Sequence, residues 1–157
     1  MSPIDYIPRT RELYASYLPY RWVVNEDVPW APLRAPVAER KVALLSTGGV
    51  HMEDQAPFHY KDDTSCYEIP KDVDYARLRV SHFGYITDDA SADPNCVFPL
   101  ERLRELEADG IIGELADPAY SLMGGIYSAR RVRNEVVPMV VEQVLRRKVE
   151  VLFLVPA

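Results

Sequence analysis

Apolar and polar positions divide this chain into segments of two different periods. "KVALLS", residues 41–46, is a short continuous apolar run that opens onto Thr47-Gly48-Gly49, the pattern of a strand buried on both faces. "YARLRVSHF", residues 75–83, alternates apolar and polar positions and predicts a second strand ending near His82. "PLERLRELEADG" predicts a helix. Pro99 suits its first position, Leu100, Leu103 and Leu106 line one face, and Gly110 supplies the left-handed residue past its end. "IIGELA" reads as a short strand or an extended turn. Residues 128–148 carry the longest helical pattern, with Val132, Val136, Val140 and Val144 on one stripe. Pro138 removes a backbone donor inside it, so the helix kinks there or a new one starts. The final run, "VEVLFLVP", predicts a central parallel strand. Strands alternating with helices give an α/β layered domain with a mostly parallel sheet, Rossmann-like or flavodoxin-like.

Residues 1–40 follow neither period. They hold six of the thirteen prolines and both tryptophans, Trp22 and Trp30. One short helix is expected over 11–18, capped by Thr10 and stopped by Pro19. The rest reads as an extended proline- and aromatic-rich arm that packs on the domain or on a second subunit. The expected division is therefore an arm over 1–40 and an α/β domain over 41–157.

Composition narrows the function classes. A chain of 157 residues suits one domain with a real core, and 48% apolar with 27% charged residues is ordinary for a globular protein. A net charge of −6 without a basic block argues against nucleic-acid binding. No apolar stretch reaches membrane-span length and no signal-peptide pattern opens the chain, so a cytoplasmic protein is expected. Cys66 and Cys96 stand apart with no C-x-x-C, which disfavours a cysteine-built zinc site or a disulfide framework.

The candidate chemistry lies at strand ends, where loops converge and backbone donors are exposed. Gly48 and Gly49 precede His51, and His82 closes the second strand. Glycine there lets backbone approach a ligand closely, or simply makes a tight turn. "STGG" lacks the spacing of a phosphate loop, and no G-x-S-x-G accompanies the histidines. A metal held by His51, His82 and a carboxylate such as Asp88 is one reading. Cys66 and Cys96 read first as small apolar residues rather than reactive thiols. A second glycine pair, Gly124-Gly125, precedes a helix start bearing Ser128, Arg130 and Arg131, which is either an anion site or a glycine turn beside solvated arginines.

"VALLSTGGVHMEDQAPF", "YEIPKDVDYARLRVSHFGY", "DPNCVFPLERLRELEADGIIGELADPAYSLMGG" and "VEVLFLVPA" together resemble component B of the glycine/sarcosine/betaine and D-proline reductases, in order from about residue 41 to 157. The resemblance implies reductive cleavage of a carbon–nitrogen bond in a small amino-acid derivative. A thiol or selenol performs it, alongside partner subunits, some bearing a pyruvoyl group. His51 and His82 fall on the family's G-V-H and S-H positions, Glu68 in its E-I-P segment, and Asn95 and Phe98 in its N-x-V-F-P segment. The two histidines are expected to handle protons in a pocket, with Gly48, Gly49, Glu68, Asn95, Gly124 and Gly125 meeting substrate. In the family the redox cysteine or selenocysteine is expected just beyond the strand matching "VLFLVPA", where this sequence stops at Ala157. The thiol or selenol is then expected beyond Ala157 or on a partner chain, from Cys66 or Cys96, or not at all. The last case is a shortened relative that kept the pocket and became a metal- or histidine-dependent enzyme or a binding subunit. A partner polypeptide or a homo-oligomer is expected, because few strands are visible and an exposed sheet needs cover.

Overall fold

The apolar run at residues 41–46 becomes strand β1 (Lys41–Ser46), and its place between two cores explains why it is apolar throughout. Val42 and Leu44 point into a cluster with Ile69, Phe98, Leu100, Leu103 and Leu115. Ala43 and Leu45 point the other way, against Tyr120, Leu122, Val136 and Val140. Alternate side chains of one strand thus serve opposite faces, and neither face tolerates a polar residue. The computed structural model describes residues 29–157 continuously, together with residues 8, 9, 12, 15, 16, 26 and 27. Contacts separate Met1–Pro32 from Leu33–Ala157. Most of the helix expected over 11–18, and much of the arm, falls outside the described residues.

Around β1 the sheet is mostly parallel. β5 (Glu114–Leu115) and β6 (Ala119–Ser121) lie successively along one edge of β1, and β7 (Val151–Val155) runs along the other. β3 (Tyr67–Ile69) extends the β6 side in antiparallel sense. Helix α2 (Leu100–Ala108) buries Leu100 and Leu103 against the first face. On the second face lie α3 (Ala129–Arg131), a π-helical segment (Val132–Val136) and α4 (Val137–Arg146). Val136 and Val140 reach the core there, with Val144 packed beside them.

Two expectations need correction in detail, and a third is made specific. The alternating segment before His82 is not a strand of the main sheet. A 3-10 turn (Tyr75–Arg77), capped by the Asp74 carboxylate, leads into β4 (Leu78–Val80). β4 pairs antiparallel with β2 (Val50–Met52) in a separate two-stranded sheet, where Arg77 and Arg79 both bridge to Glu53. β7 is parallel as expected, but among the described residues it pairs only with β1, leaving Phe153 and Leu154 exposed. The valine stripe over 128–148 does continue past Pro138. The π-helical turn before it absorbs the missing donor, so the helix restarts without losing its apolar face.

Candidate functional site

β1 and β6 finish side by side, with Ser46 opposite Ser121, and each leads into a glycine pair. The two pairs meet. Leu122 N–H donates to the Ser46 carbonyl at 2.8 Å, Gly124 N–H to the Thr47 carbonyl at 2.9 Å, and Gly49 N–H to the Leu122 carbonyl at 2.9 Å. Gly48 faces Met123 across an antiparallel bridge. The end of β7 joins this seam, because the Ala157 N–H donates to Thr47 Oγ1 at 3.0 Å. Space forces the glycines. A Cβ on Gly49, whose φ is +71°, would sit 2.3 Å from the Ser81 carbonyl oxygen, and one on Gly124 would sit 2.8 Å from the Ala157 carbonyl oxygen.

Both predicted histidines border this seam and differ in what surrounds them. His51 lies within β2, buried. Its Nδ1 is 2.9 Å from the Met52 carbonyl, which only accepts, so Nδ1 carries the proton. Its Nε2 then accepts from the Ser81 hydroxyl at 2.9 Å. The ring packs near Phe58 and Tyr67, and no ring nitrogen is left over. His82 follows β4 and stacks on Tyr85, with ring centroids 4.4 Å apart. Gly84 N–H donates to its Nδ1 at 2.9 Å, so the neutral ring carries its proton on Nε2. That Nε2 is buried and has no partner among the described residues. Burial lowers the His82 pKa below its ordinary value, which keeps the ring neutral near pH 7. Tyr85 fixes the arrangement by donating its hydroxyl to the Gly48 carbonyl at 2.7 Å.

The other predicted residues stand elsewhere or are already engaged. Glu68, on β3, is ion-paired with Arg147. The Asn95 amide donates to Asp93 and Glu101 and ties its turn to the start of α2. Asp88 is exposed at the start of α1 (Asp88–Ala92), and Phe98 is a core residue. Among the described residues no group of three or more His, Cys, Asp or Glu side chains is arranged to hold a metal ion, so His51, His82 and Asp88 do not converge as one. Arg131 is not free for an anion. It bonds Glu135, the Asp62 carbonyl and Thr64, and so fastens the loop at 62–64 to the start of α3. Neither cysteine fits a reactive thiolate. Burial, with the Glu68 carboxylate, pushes the Cys66 thiol up to about 11. Partial burial and the carboxylates of Asp93 and Asp89 also raise Cys96.

Sequence reasoning missed Tyr85, Thr47 and Ser121, whose hydroxyl is fully buried beside the seam and unpartnered among the described residues. It also missed a cleft of about 360 Å³ lined by Tyr60, Lys61, Phe83, Gly84, Gly125 and Tyr127. Those residues come from three distant segments, so no local spacing announces them. The tyrosines flanking the second glycine pair, Tyr120 and Tyr127, were a usable signal.

A sequence model of the family described as glycine/sarcosine/betaine reductase selenoprotein B matches residues 14–155. The D-proline reductase subunit gamma of Acetoanaerobium sticklandii is 32% identical over 125 residues, covering 80% of this chain and 52% of the relative. The glycine reductase complex component B subunit gamma of Symbiobacterium thermophilum is 29% identical over 69% of this chain and 26% of its own length. The sarcosine reductase complex component B subunit beta of Peptoclostridium acidaminophilum is 30% identical over 67% of this chain and 25% of its own length. The chain thus spans about half of the first relative and about a quarter of the other two. No solved structure matches.

Proposed function

The chain belongs to the glycine/sarcosine/betaine reductase selenoprotein B family, and on that premise we propose that it forms the substrate pocket of a reductase acting on a small amino-acid derivative. The observation that carries this reading is the partnerless His82 Nε2–H beside the joined glycine pairs. A buried donor without a partner costs about 1–3 kcal/mol, and a ligand acceptor offsets that cost. In this reading His82 donates to a substrate oxygen or to a leaving nitrogen, and the backbone of Gly48, Gly49, Gly124 and Gly125 lets the substrate approach. His51, with both nitrogens satisfied, positions β2 against Ser81 and does not touch substrate.

The thiol or selenol that breaks the carbon–nitrogen bond comes, in this proposal, from a partner polypeptide or another segment, since Cys66 and Cys96 both hold their protons at neutral pH. The relatives' names as subunits support an assembly. Two unpaired cysteines suit a reducing cytoplasm. No described helix is long and apolar enough to cross a membrane. The raised thiol pKa values also favour a second reading, a binding subunit without turnover of its own.

The test is to isolate the protein with its natural partners and follow dithiol-dependent release of amine or ring opening from small amino acids. The expected result is turnover by the assembly and none by the chain alone, with His82→Gln lowering kcat by about 10²-fold. An assembly that turns over equally well without thiol, or with His82→Gln, overturns the reading. An assembly that binds amino acids with no turnover leaves the binding-subunit reading.

A further inference from the structure

The residues of β7, Val151-Leu152-Phe153-Leu154-Val155, read the same in both directions. One edge of the strand lies along β1, and among the described residues the other edge pairs with nothing. Thr47 N–H donates to the Val155 carbonyl. Peptide groups alternate sides along a strand, so Val151, Phe153 and Val155 turn theirs toward β1, and Leu152 and Leu154 turn theirs outward. That edge carries none of the charges, prolines or bulges that keep edge strands from pairing. Helix α4 extends the apolar surface beside it. Gln143 bonds Arg147, whose guanidinium pairs with Glu68 on β3, so this side of α4 looks toward β3. Leu145 stands two residues from both, about 200° round the helix. Val141 and Val137 continue its stripe at fourfold spacing, and the stripe therefore looks the other way, toward the open edge of β7. Val137, Val141, Leu145, Phe153 and Leu154 are between 45% and 69% exposed. Together they offer roughly 500 Å² of mainly apolar surface, well over half of the ~800 Å² that each member of a stable pair buries.

We propose that β7 pairs antiparallel with β7 of a second copy of this chain, about a two-fold axis through Phe153, and so carries the sheet from one copy into the other. The palindrome selects this occupant. A two-fold interface joins a surface to itself and therefore needs a self-complementary one. Antiparallel register about Phe153 sets Val151 opposite the partner's Val155, Leu152 opposite the partner's Leu154, and Phe153 opposite the partner's Phe153. Each leucine pair presents outward N–H and C=O groups and exchanges both backbone hydrogen bonds. The phenylalanines form the non-hydrogen-bonded pair on the axis, where facing side chains come closest. The same axis lays the two α4 helices antiparallel on one face of the joint sheet, with Val137, Val141 and Leu145 turned toward their counterparts. The interface uses neither histidine and neither glycine pair, so it stands or falls apart from the reductase reading.

The experiment is sedimentation of the full chain over a concentration series, with variants at the axis. A reversible dimer is expected. Phe153→Asp sets two carboxylates face to face and is expected to raise the dissociation constant at least about 100-fold. Leu145→Lys is expected to raise it about tenfold. Ile111→Asp, exposed in the turn before β5, is expected to leave it unchanged. Phe153→Lys is expected to be monomeric alone and to associate when mixed with Phe153→Asp, a rescue that a mere folding defect at this position would not give. Phe153→Cys is expected to close a disulfide between two copies when a mild oxidant is added. In the dimer the Leu152 and Leu154 amides are expected to exchange with deuterium at least about tenfold more slowly than in the separated chain, where they stand open. A chain monomeric at every concentration, a dimer indifferent to Phe153→Asp, folded Asp and Lys variants that do not associate, or no disulfide from Phe153→Cys overturns the proposal. So does a Phe153→Cys chain that, in its natural assembly, crosslinks to a different polypeptide and never to its own copy.

Discussion

His51 lies in the two-stranded sheet and His82 just past its second strand, and both are nearly inaccessible, yet they sit in opposite hydrogen-bonding states. His51 has an acceptor at Nδ1 in the Met52 carbonyl and a donor at Nε2 in the Ser81 hydroxyl. His82 has one nitrogen engaged by Gly84 and the other facing no partner. Burial alone does not separate a structural histidine from a working one. The completeness of its bonds is the ground on which we propose His82 rather than His51 for substrate contact, because a folded chain leaves a buried donor open only at a cost. The same contrast recurs one strand away. Ser46 bonds the Val97 carbonyl and accepts from Gly48 N–H, whereas its neighbour Ser121 has a buried hydroxyl with no partner.

The harshest way to break this comparison is Gly49→Ala, because the Gly49 carbonyl accepts from Ser81 N–H and so joins the two histidine environments, while its Cα faces the Ser81 carbonyl. A left-handed alanine pressed against that carbonyl is expected to cost about 3 kcal/mol or more in chemical denaturation. Next come the histidines themselves. His51→Leu strands the Met52 carbonyl and the Ser81 hydroxyl and is expected to cost about 2 kcal/mol. His82→Leu removes an unsatisfied donor and releases only the N–H of the exposed Gly84 to water, so it is expected to cost less than about 1 kcal/mol while abolishing ligand response. Equal losses for the two would erase the distinction. The serines repeat the test on a smaller scale. Ser46→Ala is expected to lose about 1–2 kcal/mol, and Ser121→Ala to stay within about 0.5 kcal/mol of the parent.

The smallest effect is in the pH dependence. The folded His82 pKa lies below its ordinary 6.5, so in that window the unfolded chain binds more protons than the native one. Stability contributed by neutral His82 is present above pH 6.5 and declines as pH falls through 6.5 toward the lowered folded value. His82→Gln should flatten that part of the profile, read by melting temperature from neutral to acidic pH. A profile that stays unchanged would mean that His82 is not protected from protonation.

Much of this was legible in the chain because local physics dictated it. β1 is apolar at every inner position because two cores claim its two faces. The end of α2 was readable from Gly110, which takes φ +70° as a residue past a helix end should. The placement of β7 at an edge was not readable, since an apolar run reports burial and says nothing of how many neighbours a strand pairs with. The meeting of Gly48-Gly49 with Gly124-Gly125 was hidden for the same reason: it is set by the register of β1 and β6, which no segment carries by itself. Nor does the sequence around His51 and His82 reveal tautomers, because the deciding partners Ser81 and Gly84 look like ordinary turn residues. The cleft of Tyr60, Phe83 and Tyr127 was the least legible, being assembled from distant loops by the Arg131 clamp.

The pairing of β7 with β1 has a kinetic corollary. Every rung between them, ending in the Thr47–Ala157 contact, joins residues about 110 positions apart. Such a ladder raises contact order, because the loop must close before any rung rewards it. Docking of β7 is therefore expected among the last events of folding, with its amides exchanging with solvent deuterium sooner than those at the centre of the sheet. The mouth of the seam, where Thr47, Gly124 and Ala157 meet, is then expected to open without unfolding the centre of the sheet.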